Sequence, residues 1–255
     1  MFIIYRERRV NYIKNIGSGY PTLFLHGWGG NVESFKYFVK DKNAILIDFP
    51  PFGKSQNPKY EYTLNDYVNI VIKILNKEKI DKVNIVAHSF GGRVAILLAT
   101  KGYVNKLVLT GSAGLKPKYS IKKSFAKTRY KLAKLIVKLK LKDKSYLKKF
   151  GSSDYKCLDD NMKKTFINIV NFYQNDMLKD IKCDTLLVWG DKDTETPLYM
   201  AKTFEKNING SGLVVFAGSG HFAYIEKAFA FEKIINNFFK DWLCNFFHQL
   251  ILICT

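Results

Sequence analysis

No stretch of this 255-residue chain reaches the roughly 18 consecutive apolar residues that a membrane-spanning helix needs. The expectation is a chain without an integral membrane span. Cysteine is also scarce. Cys157, Cys183, Cys244 and Cys254 lie far apart, with no C-x-x-C pair, so zinc and redox motifs are absent. Scattered reduced thiols fit an intracellular protein, and neither a metal nor a cofactor is expected. The N-terminus runs from Met1-Phe2-Ile3-Ile4-Tyr5 into Arg6-Glu7-Arg8-Arg9. A secretory leader has the reverse order, basic residues first and then a longer apolar stretch, so the reading is cytoplasmic. Histidine is limited to four residues, which narrows any search for a general base.

Acidic residues are the other deficit. There are 22 Asp and Glu against 41 Lys and Arg, a formal net charge of +19. That balance invites a nucleic-acid reading, but its distribution does not support one. Residues 115–150 hold 14 basic residues and one acid, Asp143, so much of the excess is local. Solvated surface is the favoured reading, and no nucleic-acid partner is expected. A peripheral contact of this stretch with an anionic membrane surface is the alternative.

What is present is a core. Apolar residues make up 47% of the chain, enough for one large packed domain. Strand-like and helix-like segments alternate, which points to an α/β fold with a mostly parallel sheet flanked by helices. Residues 2–5 and 9–14 read as an opening antiparallel pair. Strands then follow at Pro21–His26, Ala44–Asp48, Val83–His88, Lys106–Thr110, Thr185–Trp189 and Leu213–Phe216. Between them, 32–39, 64–77, 90–101, 198–206 and about 223–243 read as helices. Thr63 is the expected N-cap of the second, with Asp66 in the capping-box position.

The interval 115–182 breaks the alternation. It has no strand-like run and is too long for a structureless loop. Ile121, Phe125, Leu132, Leu135, Ile136 and Leu139 recur at helical spacing. It reads as a helical insertion after the sixth strand, split near Gly151-Ser152-Ser153 and serving as a lid over the sheet's carboxyl edge. The expected division is therefore a core of residues 1–114 and 183–243, a lid of 115–182, and an apolar tail of 244–255 with no assigned role.

The most informative run is Val83-Asn84-Ile85-Val86-Ala87-His88-Ser89-Phe90-Gly91-Gly92-Arg93. A β-branched run ends at a serine, two glycines follow, and a helix-forming stretch begins. That is the layout of a nucleophile elbow. A serine hydroxyl is a poor nucleophile at neutral pH unless a base takes its proton and a carboxylate orients that base. His221, on the small-residue loop Gly218-Ser219-Gly220-His221-Phe222 after the last strand, fits best as the base. His26 fits better as a ligand of loop backbone. His88 precedes the serine on its strand, so its side chain is expected to point away from Ser89. Asp191, Asp193 and Glu195 compete as the acid, and spacing alone does not choose among them.

Over residues 1–243 the chain resembles an α/β-hydrolase-fold serine hydrolase, of a lidded esterase-like kind. The resemblance rests on the loop His26-Gly27-Trp28-Gly29-Gly30, the run Asp48-Phe49-Pro50-Pro51-Phe52-Gly53-Lys54-Ser55, the elbow at 87–91, and the acid and histidine loops in the order Ser, Asp, His. The elbow departs from G-x-S-x-G in carrying Ala87, a small substitute. The resemblance implies Asp193 as the acid, with Asp191 and Glu195 as solvent or loop-capping carboxylates. It also implies backbone N–H groups of Trp28 and Phe90 as an oxyanion hole, with Gly27, Gly29 and Gly30 allowing close approach. Family members that cleave epoxides or carbon–halogen bonds use Asp where this chain has Ser89, so those activities are set aside.

The expected substrate is a small acyl compound. Trp28, Phe90 and Phe222 favour an apolar group, and Gly27, Arg93 and Phe222 are the expected substrate contacts. Cleavage of a carboxylic ester of small to medium acyl length is the leading expectation. Arg93 supports an alternative, because the same Ser-x-Gly-Gly-Arg run occurs in menaquinone-pathway cyclohexadiene-carboxylate synthases, where the arginine faces a carboxylated substrate. A lyase or carbon–carbon hydrolase is therefore the second reading, and pairing of Arg93 with a carboxylate or backbone carbonyl is the simpler role. A non-catalytic ligand or anionic-surface binder is the third.

Overall fold

The computed structural model describes residues 1–118 and 153–240, with isolated positions 129, 132, 133, 136, 137, 139, 143 and 146. Its strands are β1 (Phe2–Tyr5), β2 (Arg8–Asn15), β3 (Ser18–Leu25), β4 (Lys42–Ile47), β5 (Val83–His88), β6 (Val104–Thr110), β7 (Asp184–Gly190) and β8 (Ser211–Phe216). All eight expected strands are present. They form one sheet in the order β1-β2-β4-β3-β5-β6-β7-β8. The pairs β1–β2 and β2–β4 are antiparallel, and every later pair is parallel. Arg6 and Glu7 make the first turn, both with positive φ, as a two-residue hairpin turn requires.

β5 is buried at all six positions, as expected of a central parallel strand covered on both faces. Strand alternation sends its side chains to two different cores. Ile85 and Ala87 join Leu25, Leu109 and Trp189 beneath helices α1 (Leu64–Lys77), α2 (Phe90–Thr100) and the helix Leu198–Asn207. Val86 joins Phe24, Leu46, Val108 and Val188 on the other face, against Phe35, Tyr224 and Phe231. The α1 N-terminus is capped as the sequence predicts. The Asp66 carboxylate accepts the Thr63 backbone N–H at 2.7 Å and the Thr63 hydroxyl at 2.7 Å.

Two helices differ from expectation. Residues 32–39 form a 3-10 helix, its first turn held by the Asn31 side chain, which accepts the Glu33 N–H at 2.9 Å. The expected helix 223–243 is broken at Lys227, whose φ of −121° lies outside the helical range. The pieces are one turn, Ala223–Glu226, and a longer helix, Ala228–Phe239. The bend lets Ala223 and Tyr224 enter the core while Phe229 stays 76% exposed.

The described part of the insertion contains helix and no strand. It holds one turn at Ser153–Lys156, helix α3 (Asp160–Val170) and a 3-10 helix at Asn175–Asp180. α3 starts at Asp159, whose carboxylate accepts the Met162 N–H at 2.8 Å. Its inner face, Met162, Thr165 and Ile169, is buried. It is tied to the loop before α1. The Thr165 hydroxyl accepts the Tyr62 N–H at 2.8 Å, and Asn161 donates to the Lys59 carbonyl at 3.0 Å. The expected helical residues Ile121, Phe125 and Leu135, the split at Gly151-Ser152 and the tail 244–255 lie outside the described residues. Among the described residues, no helix is long and apolar enough to cross a membrane.

Candidate active site

The end of β5 turns sharply into α2 at Ser89. Its φ is +49° and its ψ −111°, a region that non-glycine residues rarely occupy. Three backbone bonds hold it there. The Ser89 N–H donates to the Thr110 carbonyl at 3.2 Å, and the Ser89 carbonyl accepts from Gly92 at 3.1 Å and Ala113 at 3.0 Å. The glycines that follow are sterically required. A Cβ on Gly91 would lie 2.3 Å from the Leu25 carbonyl oxygen, and one on Gly92 would lie 2.0 Å from Ser112 Oγ. The sequence pattern of strand, serine, two glycines and helix is thus explained by packing of α2 against the ends of β3 and β6.

Ser89 opens into a cavity of about 440 Å³ at the carboxyl edge of the sheet. His221, Gly27, Trp28 and Phe90 line it from the sheet side, and Phe166, Ile169 and Val170 of α3 line it opposite. Arg93, Glu195, Thr196 and Phe222 also line it. Phe222 is 51% exposed and forms part of the rim. Trp28 spans the space edge-on, with ring centroids 5.5 Å from Phe90 and 5.1 Å from Phe166.

Asp193 is buried and lies against His221. His221 Nδ1 and Asp193 Oδ2 are 2.9 Å apart. A carboxylate can only accept, so Nδ1 carries the hydrogen and Nε2 is left to act as a base. Asp193 Oδ1 accepts the backbone N–H groups of Glu195 and Thr196, each at 2.9 Å. The Thr196 hydroxyl donates to Oδ2 at 2.7 Å. Burial pushes the Asp193 carboxyl up, but the His221 and Thr196 hydrogen bonds outweigh it and hold the group below the usual carboxylate range. Of the rival acids, Asp191 caps a loop by accepting the Gly218 N–H at 2.8 Å. Glu195 is exposed at the cavity boundary.

His26 has both nitrogens committed. Nδ1 lies 2.7 Å from the Gly27 carbonyl, and Nε2 accepts the Phe49 N–H at 2.9 Å. These partners fix one neutral tautomer. Burial lowers its pKa from 6.5 to about 4. His26 therefore serves the loop backbone, as the sequence suggested. His88 does not point away from the site. It lines the same cavity, its ring centroid 4.7 Å from that of His221. The left-handed turn at Ser89 ends the strand alternation on which the expectation rested. His88 Nε2 lies 3.0 Å from the His221 carbonyl and must donate to it. Burial, with the neighbouring His221 second, lowers the His88 pKa to about 3.

Both residues expected to supply oxyanion donors, Trp28 and Phe90, line the cavity. Phe90 is the first residue of α2, so its N–H has no acceptor within the helix and lies at the positive end of the helix dipole. Gly27 lies beside it. A Cβ there would come within 2.7 Å of His88 Nδ1 and 3.3 Å of Ser89 Cβ. Arg93 lies one turn into α2. It is 7% exposed, and its Nη1 donates to the Phe172 carbonyl at 2.6 Å. Burial lowers its pKa to about 10. The simpler expected role, pairing with a backbone carbonyl, is realised, and Arg93 faces the cavity as well.

Residues 20–136, which include the serine turn after β5, match a family model described as alpha/beta hydrolase fold. The chain has the α/β-hydrolase fold. A second model, described as TAP-like protein, matches residues 170–242. The AB hydrolase superfamily protein YisY of Bacillus subtilis is 26% identical, over 93% of this chain and 98% of its own length. A 2-hydroxymuconate semialdehyde hydrolase of Pseudomonas sp. is 24% identical, over 88% of each chain. An esterase structure from Exiguobacterium antarcticum superposes with a TM-score of 0.74 at 23% identity, covering 94% of this chain and 99% of that one. That structural likeness speaks to fold alone. Sequence reasoning expected an apolar lid but named neither Thr196 nor the α3 residues Phe166, Ile169 and Val170. A hydroxyl three residues after the acid, in a turn the acid itself caps, was the available signal for Thr196.

Proposed function

We propose that this chain is a serine hydrolase that cleaves a carboxylic ester of small to medium acyl length. The supporting observation is one cavity that holds a serine at positive φ and a histidine whose Nδ1 lies 2.9 Å from a buried carboxylate. In this reading the Ser89 proton passes to His221 Nε2 as Oγ attacks the acyl carbon. Asp193 keeps the imidazole in the required tautomer and stabilises the imidazolium. The carbonyl oxygen takes up the negative charge against the N–H groups of Phe90 and Trp28. His221 then returns the proton to the departing alkoxide, leaving an acyl-serine. Water repeats the sequence and releases the acid. Trp28, Phe166, Ile169 and Val170 give the acyl group apolar walls, and the cavity volume suits a small to medium chain.

Turnover of p-nitrophenyl esters across acyl lengths tests this reading. Wild type should show a preference among the shorter chains. Ser89→Ala should lose about a thousandfold or more in kcat. A fluorophosphonate should label Ser89 in wild type and not in His221→Ala. Wild-type-like turnover by purified Ser89→Ala would sink the assignment.

One observation favours a second reading, a carbon–carbon hydrolase or lyase acting on a carboxylated substrate. The buried Arg93 guanidinium borders the cavity and pairs with no carboxylate among the described residues. Fission or elimination of such a substrate, with no ester turnover across the panel, would favour this reading over the first.

A further inference from the structure

We infer that Thr196 is a positioning residue for the proposed Asp193–His221 pair, an inference that rests on the serine-hydrolase reading. Asp193 receives four hydrogen bonds, and they are unevenly divided. Oδ1 takes two backbone N–H groups, which the turn itself supplies. Oδ2 takes the His221 ring and the Thr196 hydroxyl, at 2.9 and 2.7 Å. The oxygen that faces the base is therefore fixed by a side chain. Thr196 Oγ1 is 3.4 Å from His221 Nδ1, too long to rival its bond to the carboxylate.

Thr196 is itself well held. Its carbonyl accepts the buried Trp189 indole N–H at 2.6 Å, and only 6% of the residue is exposed. It also borders the cavity, with its hydroxyl turned to Asp193 Oδ2. With the hydroxyl in place, the carboxylate plane is pinned at both oxygens. Without it, Oδ2 has one partner, the imidazole, which must itself move as it gains and loses a proton. The hydroxyl thus supplies a fixed reference for the orientation of the base.

Two variants separate this role from plain packing. Thr196→Val keeps the shape and loses the hydroxyl. Thr196→Ser keeps the hydroxyl and loses the methyl group. With p-nitrophenyl butyrate as probe, Thr196→Val should lose about tenfold in kcat with KM within twofold, the scale of one weakened charge-assisted hydrogen bond. Thr196→Ser should stay within about threefold of wild type. The downfield proton resonance of the His221 Nδ1–H should shift in Thr196→Val and keep its position in Thr196→Ser. The reverse order, with Ser impaired and Val near wild type, would show a packing role and overturn the inference. An unchanged resonance in Thr196→Val would overturn it too. If Thr196→Val fails to fold, the serine variant decides: retained activity and resonance support the inference, and loss of both ends it. Full fluorophosphonate labelling in His221→Ala would instead mean that another base is at work, and wild-type-like turnover by Ser89→Ala would refute the underlying serine-hydrolase reading.

Discussion

The two sides of the cavity are built by different means. The sheet side is fixed by backbone. Ser89 is held by three main-chain hydrogen bonds, Gly91 has no room for a Cβ beside the Leu25 carbonyl, and His26 bridges two backbone groups of neighbouring loops. The α3 side is fixed by side chains reaching to backbone. Thr165 and Asn161 hold the helix to the loop at 59–62, Arg93 holds Phe172, and Gln174 donates to the Arg93 carbonyl at 2.9 Å. A backbone-built floor tolerates almost no change in shape. A side-chain-built wall can be altered one bond at a time.

The sharpest break of this comparison is Gly91→Ala. The added Cβ would meet a strand carbonyl at 2.3 Å, so β3 or α2 must move. The expected loss is about 3 kcal/mol, read by urea unfolding. An alanine variant as stable as wild type would mean the floor yields as easily as the wall.

A comparable effect comes from pH. Folding lowers the His26 pKa from 6.5 to about 4, so the unfolded chain binds this proton first. Stability should therefore fall as pH drops from 6.5 towards 4, by roughly 3 kcal/mol from this residue. In His26→Gln that part of the pH dependence should vanish. Urea midpoints at pH 7 and pH 4.5 for both proteins check it, and parallel declines would remove His26 from the account.

The smallest effect belongs to the wall. Thr165→Val leaves the buried Tyr62 N–H without its acceptor, at a cost of about 1–3 kcal/mol. The same change should alter relative rates among p-nitrophenyl esters of different chain length, because Phe166, Ile169 and Val170 follow α3. An unchanged acyl profile would show that this bond does not set the wall.

That division also explains what could be read from the sequence. The floor is local. A β-branched run, a serine and two glycines sit within one decapeptide, and Thr63 and Asp66 announce α1 within four residues. Backbone geometry leaves compositional traces, since only certain residues fit a turn or a cap. The wall and the lining of Asp193 leave few. Thr165 meets Tyr62 across 103 residues, and nothing in the sequence marks either one. His88 was misjudged because strand alternation was extended one residue past the point where Ser89 ends it. The break at Lys227 was missed because the apolar spacing of 223–239 continues smoothly through it, while the backbone bends to bury Tyr224.

The separation in sequence has a consequence for how the chain acquires its chemistry. His88 and the His221 carbonyl are 133 residues apart, and three sheet neighbours, β6, β7 and β8, stand between β5 and the loop that brings them together. Such long-range pairings are slow to form, because the entropy of loop closure must be overcome before they stabilise the chain. An incompletely folded chain therefore carries Ser89 as an ordinary hydroxyl, with no base beside it. Under the proposed function, reactivity and completion of the sheet arrive together, because a molecule with an unpaired β7 or β8 lacks the loops that carry Asp193 and His221.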